Sequence, residues 1–297
     1  MSERYLAYPP GRGNVWIPAR GSRSAAAGLS LLTFSKPLPL ALQFALFAAV
    51  RTAGPLLLPG RRRPWSPPVA EEAWKAVGEQ AADVVGPWDS LAGYVRPQAS
   101  RADGAALLLL RAGRPLGFLK IRQSPAELER EAVALAALAA EDQVLFRVPR
   151  VLGSGAAQGL HWLLLSPMEP VPARPARNVD IARLTERISS GLEGELPRPS
   201  HTPGHWRPMH GDLTPWNLRR TRTRTPWLID WEDAGYGPPE ADEAYFLATR
   251  LAVYGGPPPT RTYGEAALYW HDVVSRRTTD DPGLAQRLLR ILRELAG

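Results

Sequence analysis

The sequence predicts an α+β protein in which a mainly β part precedes a mainly α part. Between residues 88 and 165, short apolar runs alternate with turn signals, which is typical of antiparallel strands. After Pro167 the apolar positions recur at helical spacing instead. The first 86 residues form a separate N-terminal extension. With 297 residues the chain is long enough for two domains with buried cores.

The N-terminal extension begins with a predicted hairpin. Its strands cover residues 5–8 and 15–18, and the turn-forming residues 11–14 lie between them. A further strand is expected at residues 29–34. Residues 71–85 form an amphipathic pattern that Gly86 and Pro87 end, so we predict a helix there and a domain boundary after it.

Residues 38–50 are nearly all apolar and are followed by Arg51 and by the triplet Arg61-Arg62-Arg63. Thirteen residues are too few to cross a hydrocarbon core, which needs about 20, and no signal-peptide pattern is present. We expect a buried helix that docks the extension onto the rest of the protein. A peripheral membrane contact that uses the neighbouring arginines stays open as the alternative.

The remaining elements follow from apolar periodicity and from capping signals. A helix begins after Ser124, because Ser124 and Glu127 form a capping box and Pro125 suits the first helical position. Strands are predicted at residues 91–95, 105–110, 116–121, 148–152, 161–165 and 227–229. Further helices are predicted at residues 179–192, 240–253, 263–276 and 283–295.

Charge and composition exclude several classes of function. The chain has 36 Lys and Arg against 29 Asp and Glu, which gives 36 − 29 = +7, and it has no cysteine. Disulfides and thiolate sites are therefore absent. His201 and His205 are separated by Pro203 and Gly204, which disfavour the helix that would align them on zinc. The basic residues scatter rather than alternate with aromatics on one face, so we expect no nucleic-acid partner.

Only three lysines occur among the 36 cations, and Lys120 lies on a predicted strand. Glu131 falls on the apolar seam of the next helix, where a carboxylate needs a partner. A lysine on a strand that pairs with a glutamate on the following helix is how kinases aim an ammonium group at nucleotide phosphates. The alternative is a solvent-facing lysine and a glutamate on the helix surface.

The segment His210-Gly211-Asp212-Leu213-Thr214-Pro215-Trp216-Asn217 is followed by Ile229-Asp230-Trp231. Two acids and an amide at this spacing can converge on one metal and phosphate centre. Phosphoryl transfer needs a carboxylate that receives the proton of the acceptor hydroxyl, and oxygen ligands for Mg²⁺. Asp212 suits the first role, and Asn217 and Asp230 suit the second.

These motifs resemble the aminoglycoside phosphotransferase and choline kinase family, whose fold is related to that of protein kinases. The resemblance covers residues 88–297 and implies a bilobal fold, with an antiparallel sheet and one helix in the N-lobe and a mainly helical C-lobe. It implies that Asp212 is the catalytic base, that Asn217 and Asp230 bind Mg²⁺, and that Lys120 and Glu131 form the family's ion pair.

The resemblance also assigns supporting roles. Ser166, Met168 and Glu169 lie where the family's hinge holds the adenine of ATP through backbone hydrogen bonds, and GTP is the alternative nucleotide. Asp242 matches a position that braces the catalytic loop, and His210 is expected to hold that loop rather than to transfer protons. Residues 1–86 are the extension, which packs on the kinase core; residues 87–167 are the N-lobe, and residues 168–297 are the C-lobe.

Two features depart from the family pattern. The loop at residues 97–104 lacks the motif G-x-G-x-x-G, so we assign phosphate contact to Ser100 and to neighbouring backbone amides. Only 42 residues separate Met168 from His210, which is short for the insert that helps to form the acceptor pocket. We therefore expect residues 1–86 to pack against the C-lobe and to supply part of that pocket.

The sequence thus predicts a cytoplasmic, ATP-dependent kinase that phosphorylates a hydroxyl group of a small metabolite or antibiotic. Residues 180–297 carry 15 cations and 16 anions, too balanced for a polycationic acceptor. An aromatic, less charged acceptor site is expected instead, and the alternative is that most of its candidates are core residues. The candidates are Trp206, Trp216, Tyr245, Tyr254, Tyr263, Trp270 and His271. A non-catalytic nucleotide-binding scaffold and a protein kinase are the alternatives.

Overall fold

The computed structural model describes residues 4–9, 13–95, 104–139, 144–257, 259–277 and 281–297. Eight α-helices and twelve strands occur within these residues, so the predicted α+β class is confirmed. The chain divides into two compact units. The first comprises Met1–Leu128 and Pro149–Ala173, and the second comprises Glu129–Val148 and Arg174–Gly297.

In the first unit, the described strands form one antiparallel sheet of seven strands. The predicted N-terminal hairpin is confirmed, and it extends the sheet because Val15 pairs with Tyr94. In the order β1-β2-β3-β4-β5-β7-β6, the strands are β1 (Tyr5–Tyr8), β2 (Val15–Pro18), β3 (Ser90–Tyr94), β4 (Ala105–Arg111), β5 (Arg114–Arg122), β7 (Leu160–Leu165) and β6 (Val151–Ala157).

The predicted strand at residues 29–34 is wrong. Residues 29 and 30 end helix α1 (Ser22–Ser30), and residues 31–34 belong to no strand. The alanine-rich run before Leu29 favours a helix, and small side chains let it approach the sheet closely. A Cβ atom at Gly28 would lie 3.1 Å from the Ile17 side chain and 3.3 Å from that of Ala92. Helix α3 (Glu71–Val85) has the bounds that were predicted.

The apolar stretch forms helix α2 (Pro37–Ala53), but the expectation that this helix is buried is wrong. Of its residues only Gln43 and Val50 are buried, and Leu38 and Leu42 are 71% and 55% exposed. Most of the helix is apolar, yet only one of its sides is packed against the rest of the first unit. Among the described residues, no helix is long and apolar enough to cross a membrane.

Helix α4 (Ala126–Ala139) begins within the predicted capping box, two residues after Ser124, and contains the boundary between the units. The second unit is mainly helical. Its core is formed by side chains of α6 (Ala241–Tyr254), α7 (Gly264–Arg276) and α8 (Pro282–Ala296), and helix α5 (Ile181–Leu192) contacts α6. Trp270 is central to this core, since its ring stacks on Tyr245 at 3.9 Å and its Nε1 donates to the carbonyl oxygen of Ala241 at 2.7 Å.

Two small antiparallel ladders of the second unit bring two loops together. Strands β9 (Arg207–Met209) and β12 (Gly235–Gly237) form one ladder. Strand β10 (Leu218–Arg220) pairs with β11 (Trp227–Leu228) and with β8 (Arg174–Pro175) in the other. Residues 210–217 and residues 229–234 each run from one ladder to the other, so the two loops are held side by side.

Candidate active site

The loop that carries Asp212 is anchored at its start by Asp242 in the first turn of α6. The buried carboxylate of Asp242 accepts the backbone N–H groups of His210 at 2.6 Å and of Gly211 at 3.1 Å. Burial raises the pKa of Asp242 to about 6, and the two hydrogen bonds oppose that rise. The carboxylate thus satisfies two buried donors and fixes the first peptides of the loop.

His210 joins the two loops through both of its ring nitrogens. Its Nδ1 accepts the N–H of Asp212 at 3.1 Å, so the proton of the neutral ring lies on Nε2, which donates to the carbonyl oxygen of Ile229 at 3.1 Å. The ring is fully buried against Trp231. Because both nitrogens contact backbone groups, the geometry favours the expected positioning role over proton transfer.

The two loops lie so close together at Gly211 that a residue with a side chain would not fit there. Its φ angle is 79°, a left-handed conformation that glycine adopts most easily. A Cβ atom at this position would overlap the carbonyl oxygen of Asp233. Glycine therefore lets the peptide before Asp212 lie directly against residue 233.

Asp212, the predicted general base, is held by a hydrogen bond and has a raised pKa. Its Oδ2 accepts from Nδ2 of Asn217 at 2.9 Å, and the side chain remains 22% exposed. Burial raises its pKa to about 7; the positive charge of Arg277 and the hydrogen bond from Asn217 oppose this rise, whereas the charges of Asp233 and Asp230 add to it. A base whose pKa lies near neutrality is effective in proton transfer at physiological pH.

Asn217 and Asp230 provide oxygen ligands of the kind that Mg²⁺ prefers. The amide nitrogen of Asn217 is held by Asp212, which leaves Oδ1 as the atom that could bind a metal. The Ile229 N–H donates to the carbonyl oxygen of Asn217 at 3.1 Å, which brings Asp230 to the same place. Asp230 also has a φ angle of 69°, uncommon outside glycine and frequent at functional sites.

The described residues contain no group of three or more His, Asp or Glu side chains arranged to hold a metal ion. In proteins, Mg²⁺ is usually bound by one or two carboxylates together with water and substrate phosphates. The roles of Asn217 and Asp230 as Mg²⁺ ligands stay predictions.

Two further residues of the site, Arg277 and Asp233, were missed by the sequence analysis. The guanidinium of Arg277 lies 3.7 Å from Oδ1 of Asp212 and 3.7 Å from Oδ2 of Asp233, and it donates to the hydroxyl of Tyr245 at 3.4 Å. One cation thus partly offsets the repulsion between the neighbouring carboxylates. Asp233 follows Asp230 closely and could have been noticed, but Arg277 is distant in sequence and no local pattern marks it.

Lys120 and Glu131 are both buried, which excludes the alternative of a solvent-facing lysine and a surface glutamate. Lys120 is on β5 in the first unit, where it pairs with Leu163 of β7. Glu131 is in the second unit, and its Oε1 accepts the N–H of Trp231 at 3.4 Å. Glu131 therefore contacts the segment that follows Asp230. The ion pair between Lys120 and Glu131 stays a prediction.

The residues expected to contact the nucleotide lie mainly after β7. The Oγ of Ser166 accepts the N–H of Arg150 at 2.8 Å, and its own N–H donates to the Arg150 carbonyl oxygen at 2.7 Å. Met168 and Glu169 are partly buried. Ser100 lies outside the described residues. The roles assigned to these four residues stay predictions.

The family model of the phosphotransferase enzyme family matches residues 177–281. This segment holds Asp212, Asn217 and Asp230, and also Asp233, Asp242 and Arg277. The resemblance to the aminoglycoside phosphotransferase family is thereby confirmed over the part of the chain that contains the candidate active site. No curated protein matches the sequence.

Several solved structures show distant similarity. The chain is 11% identical to a thermostable mutant of aminoglycoside phosphotransferase APH(4)-Ia in its apo form, covering 74% of this chain and 99% of that one, with a TM-score of 0.46. It is 18% identical to APH(3'')-Id of Streptomyces rimosus, covering 74% of this chain and 96% of that one, with a TM-score of 0.42. It is 12% identical to amicoumacin kinase hAmiN, solved with AMP-PNP, Ca²⁺ and Ami, covering 73% of this chain and 76% of that one, with a TM-score of 0.43.

The substitution Asp242→Asn should destabilise the second unit by about 1–3 kcal/mol, because an amide offers one acceptor oxygen where the carboxylate offers two, and one buried N–H loses its partner. Urea unfolding followed by far-UV circular dichroism measures the effect. Asp272→Asn on the exposed surface of α7 is the matched control, with an expected change below about 0.5 kcal/mol. Equal stability of the two variants would contradict the anchoring role of Asp242.

Proposed function

We propose that the protein is an ATP-dependent small-molecule kinase, which transfers the γ-phosphate of ATP or GTP to a hydroxyl group of a small metabolite or antibiotic. The observation that carries this proposal is the position of Asp212: its carboxylate is held by Asn217 and lies close enough to Asp230 for the two charges to interact. The family match over residues 177–281 supports a phosphotransferase.

In the proposed reaction, a bond forms between the acceptor oxygen and the γ-phosphorus while the bond from that phosphorus to the bridging oxygen of the leaving diphosphate breaks. Asp212 receives the proton of the acceptor hydroxyl. Asn217 and Asp230 would hold Mg²⁺, which neutralises charge on the phosphates when bound. Lys120 would contact the phosphates, and the backbone from Ser166 to Glu169 would hold the adenine.

Arg277 would adjust the pKa of Asp212, the proposed base. Its charge lowers the pKa of Asp212, whereas burial and the two other carboxylates raise it. The balance leaves a substantial fraction of Asp212 deprotonated at neutral pH and still basic enough to take a proton. The Arg277 guanidinium lies within 4.0 Å of the Asp212 carboxylate.

Three of the seven aromatic candidates for the acceptor site are core residues. Tyr245, Tyr263 and Trp270 belong to the buried core of the second unit, so they do not form a free aromatic wall. Trp216 is partly exposed and directly precedes Asn217, which makes it the best aromatic candidate for an acceptor contact. We retain an uncharged or weakly charged hydroxylated molecule as the proposed acceptor.

An acceptor screen tests the proposal directly. The protein is incubated with ATP, MgCl₂ and a panel of hydroxylated antibiotics and sugars, and each compound is examined by mass spectrometry for the gain of one phosphoryl group. We expect at least one compound to be phosphorylated. The rate with Asp212→Asn should fall by about 10²–10⁴-fold, since the general base is lost.

Asp272→Asn, which removes an exposed carboxylate of α7, is the control and should retain the full rate. An Asp212→Asn variant as active as the control would remove Asp212 from the reaction. Nucleotide binding without transfer to any compound, and without hydrolysis of ATP, would instead support the non-catalytic scaffold. Phosphorylation of peptides alone would favour a protein kinase.

Lys120→Arg should lower the transfer rate by about 10²-fold, because a guanidinium is larger than an ammonium group and would displace the phosphates from the reactive position. Lys75→Arg on the exposed face of α3 is the matched control and should leave the rate unchanged. Near-UV circular dichroism checks that both variants are folded. A folded Lys120→Arg protein with a normal rate would show that Lys120 does not contact the phosphates.

A further inference from the structure

Helix α2 exposes one continuous apolar stripe. We define the outer stripe as Leu38, Ala41, Leu42, Ala45 and Ala48. These residues recur at spacings of three and four, and all are exposed. No charged residue lies between Lys36 and Arg51. A surface helix of a water-soluble protein normally turns charged or polar residues to the solvent. This stripe offers none.

The orientation of α2 is fixed by its opposite face. The Nε2 of Gln43 donates to the carbonyl oxygens of Leu29 and Leu32, both at 2.8 Å. Val50 is fully buried, with Leu46 and Phe47 packed against the same cluster. Because this face is held by buried contacts, the helix cannot turn its outer stripe inward without breaking them.

Further exposed apolar side chains follow the end of the helix. A short 3₁₀ turn (Pro55–Leu57) follows α2 and contacts it, and there Leu56 is 80% exposed and Leu57 is 53% exposed. We define the outer stripe together with Leu56 and Leu57 as the apolar patch. Contiguous exposed apolar surface usually marks a site of interaction with a protein or a membrane.

Cations border the apolar patch. Arg51 is exposed on the last turn of α2. The Nη2 of Arg62 donates to the carbonyl oxygen of Pro55 at 3.3 Å, which places the arginine triplet next to the 3₁₀ turn. Arg61 and Arg63, on either side of Arg62, are both exposed.

The charge of the whole chain is concentrated in this part of the sequence. Residues 1–70 contain nine cations and one anion, which gives 9 − 1 = +8, whereas residues 71–297 contain 27 cations and 28 anions, which gives 27 − 28 = −1. The entire net charge of +7 therefore originates from the segment that carries the apolar patch. Apolar area beside unopposed cations is complementary to a lipid surface with anionic headgroups.

We propose that the apolar patch is a docking surface for a bilayer that contains anionic lipids. Helix α2 lies in the plane of the interface with its outer stripe in contact with the acyl chains, and Arg51 and Arg61 contact the headgroups. Apolar burial and a basic border together supply the two signals that stable peripheral binding requires. The proposal is independent of the chemistry at Asp212.

Vesicle co-sedimentation tests this surface with the full chain. The probes are phosphatidylcholine vesicles with and without phosphatidylglycerol. We expect the protein to sediment with the anionic vesicles, to stay in the supernatant with the neutral ones, and to bind more weakly as salt is raised. Failure to sediment with anionic vesicles at low salt would overturn the proposal.

Matched variants separate the two components of the surface. Leu38→Ser/Leu42→Ser/Leu56→Ser should lower vesicle binding at least about tenfold, since each change removes exposed apolar area. Leu268→Ser, at another exposed leucine, should not change binding.

Arg51→Ala/Arg61→Ala should weaken binding to anionic vesicles, whereas Arg222→Ala/Arg224→Ala, an exposed pair elsewhere, should change it little. If the control variants lost as much vesicle binding, the apolar patch and its arginines would not be the docking surface.

A second copy of the chain is the competing occupant of the apolar patch, and the same variants distinguish it. Light scattering coupled to size exclusion would then show a dimer in the wild type that the triple leucine variant loses, with vesicles bound by neither protein. That result would overturn the membrane proposal. Far-UV circular dichroism confirms that each variant is folded.

Discussion

The carboxylate of Asp242 accepts two backbone N–H groups from the loop that carries Asp212, and the geometry of the site depends on this contact. A loop of eight residues between two short ladders has many conformations, and ordering it opposes folding. Asp242 fixes its first two peptides, and His210 then connects the loop to Ile229. The position of Asp212 therefore originates from buried hydrogen bonds that take no part in the chemistry.

The second constraint is electrostatic. The charges of Asp230 and Asp233 add to the effect of burial and raise the pKa of Asp212. The guanidinium of Arg277, which lies 3.7 Å from both Asp212 and Asp233, only partly offsets this rise. A carboxylate whose pKa is perturbed in this way is typical of functional sites.

Much of this arrangement could be predicted from the sequence, because it is encoded locally. The spacing of Asp212, Asn217 and Asp230 predicts that they lie close together, as they do. Apolar periodicity placed the four helices of the second unit within about two residues. Contacts between distant segments could not be predicted in this way. Arg277 reaches the site from the end of α7, and the exposure of α2 depends on which of its apolar faces finds a partner.

The proposed role of Asp212 as a base depends on its pKa, which is about 7 instead of its usual 3.8. A ¹³C NMR titration of the aspartate carboxyl groups measures this value, and the signal of Asp212 is identified by its loss in Asp212→Asn. We expect a midpoint near 7 in the wild type and a higher midpoint in Arg277→Gln, because the neighbouring cation is removed. Arg276→Gln, the exposed neighbour, should leave the midpoint unchanged. A wild-type midpoint near 4 that is unchanged in Arg277→Gln would contradict the proposed role of Asp212 as a base.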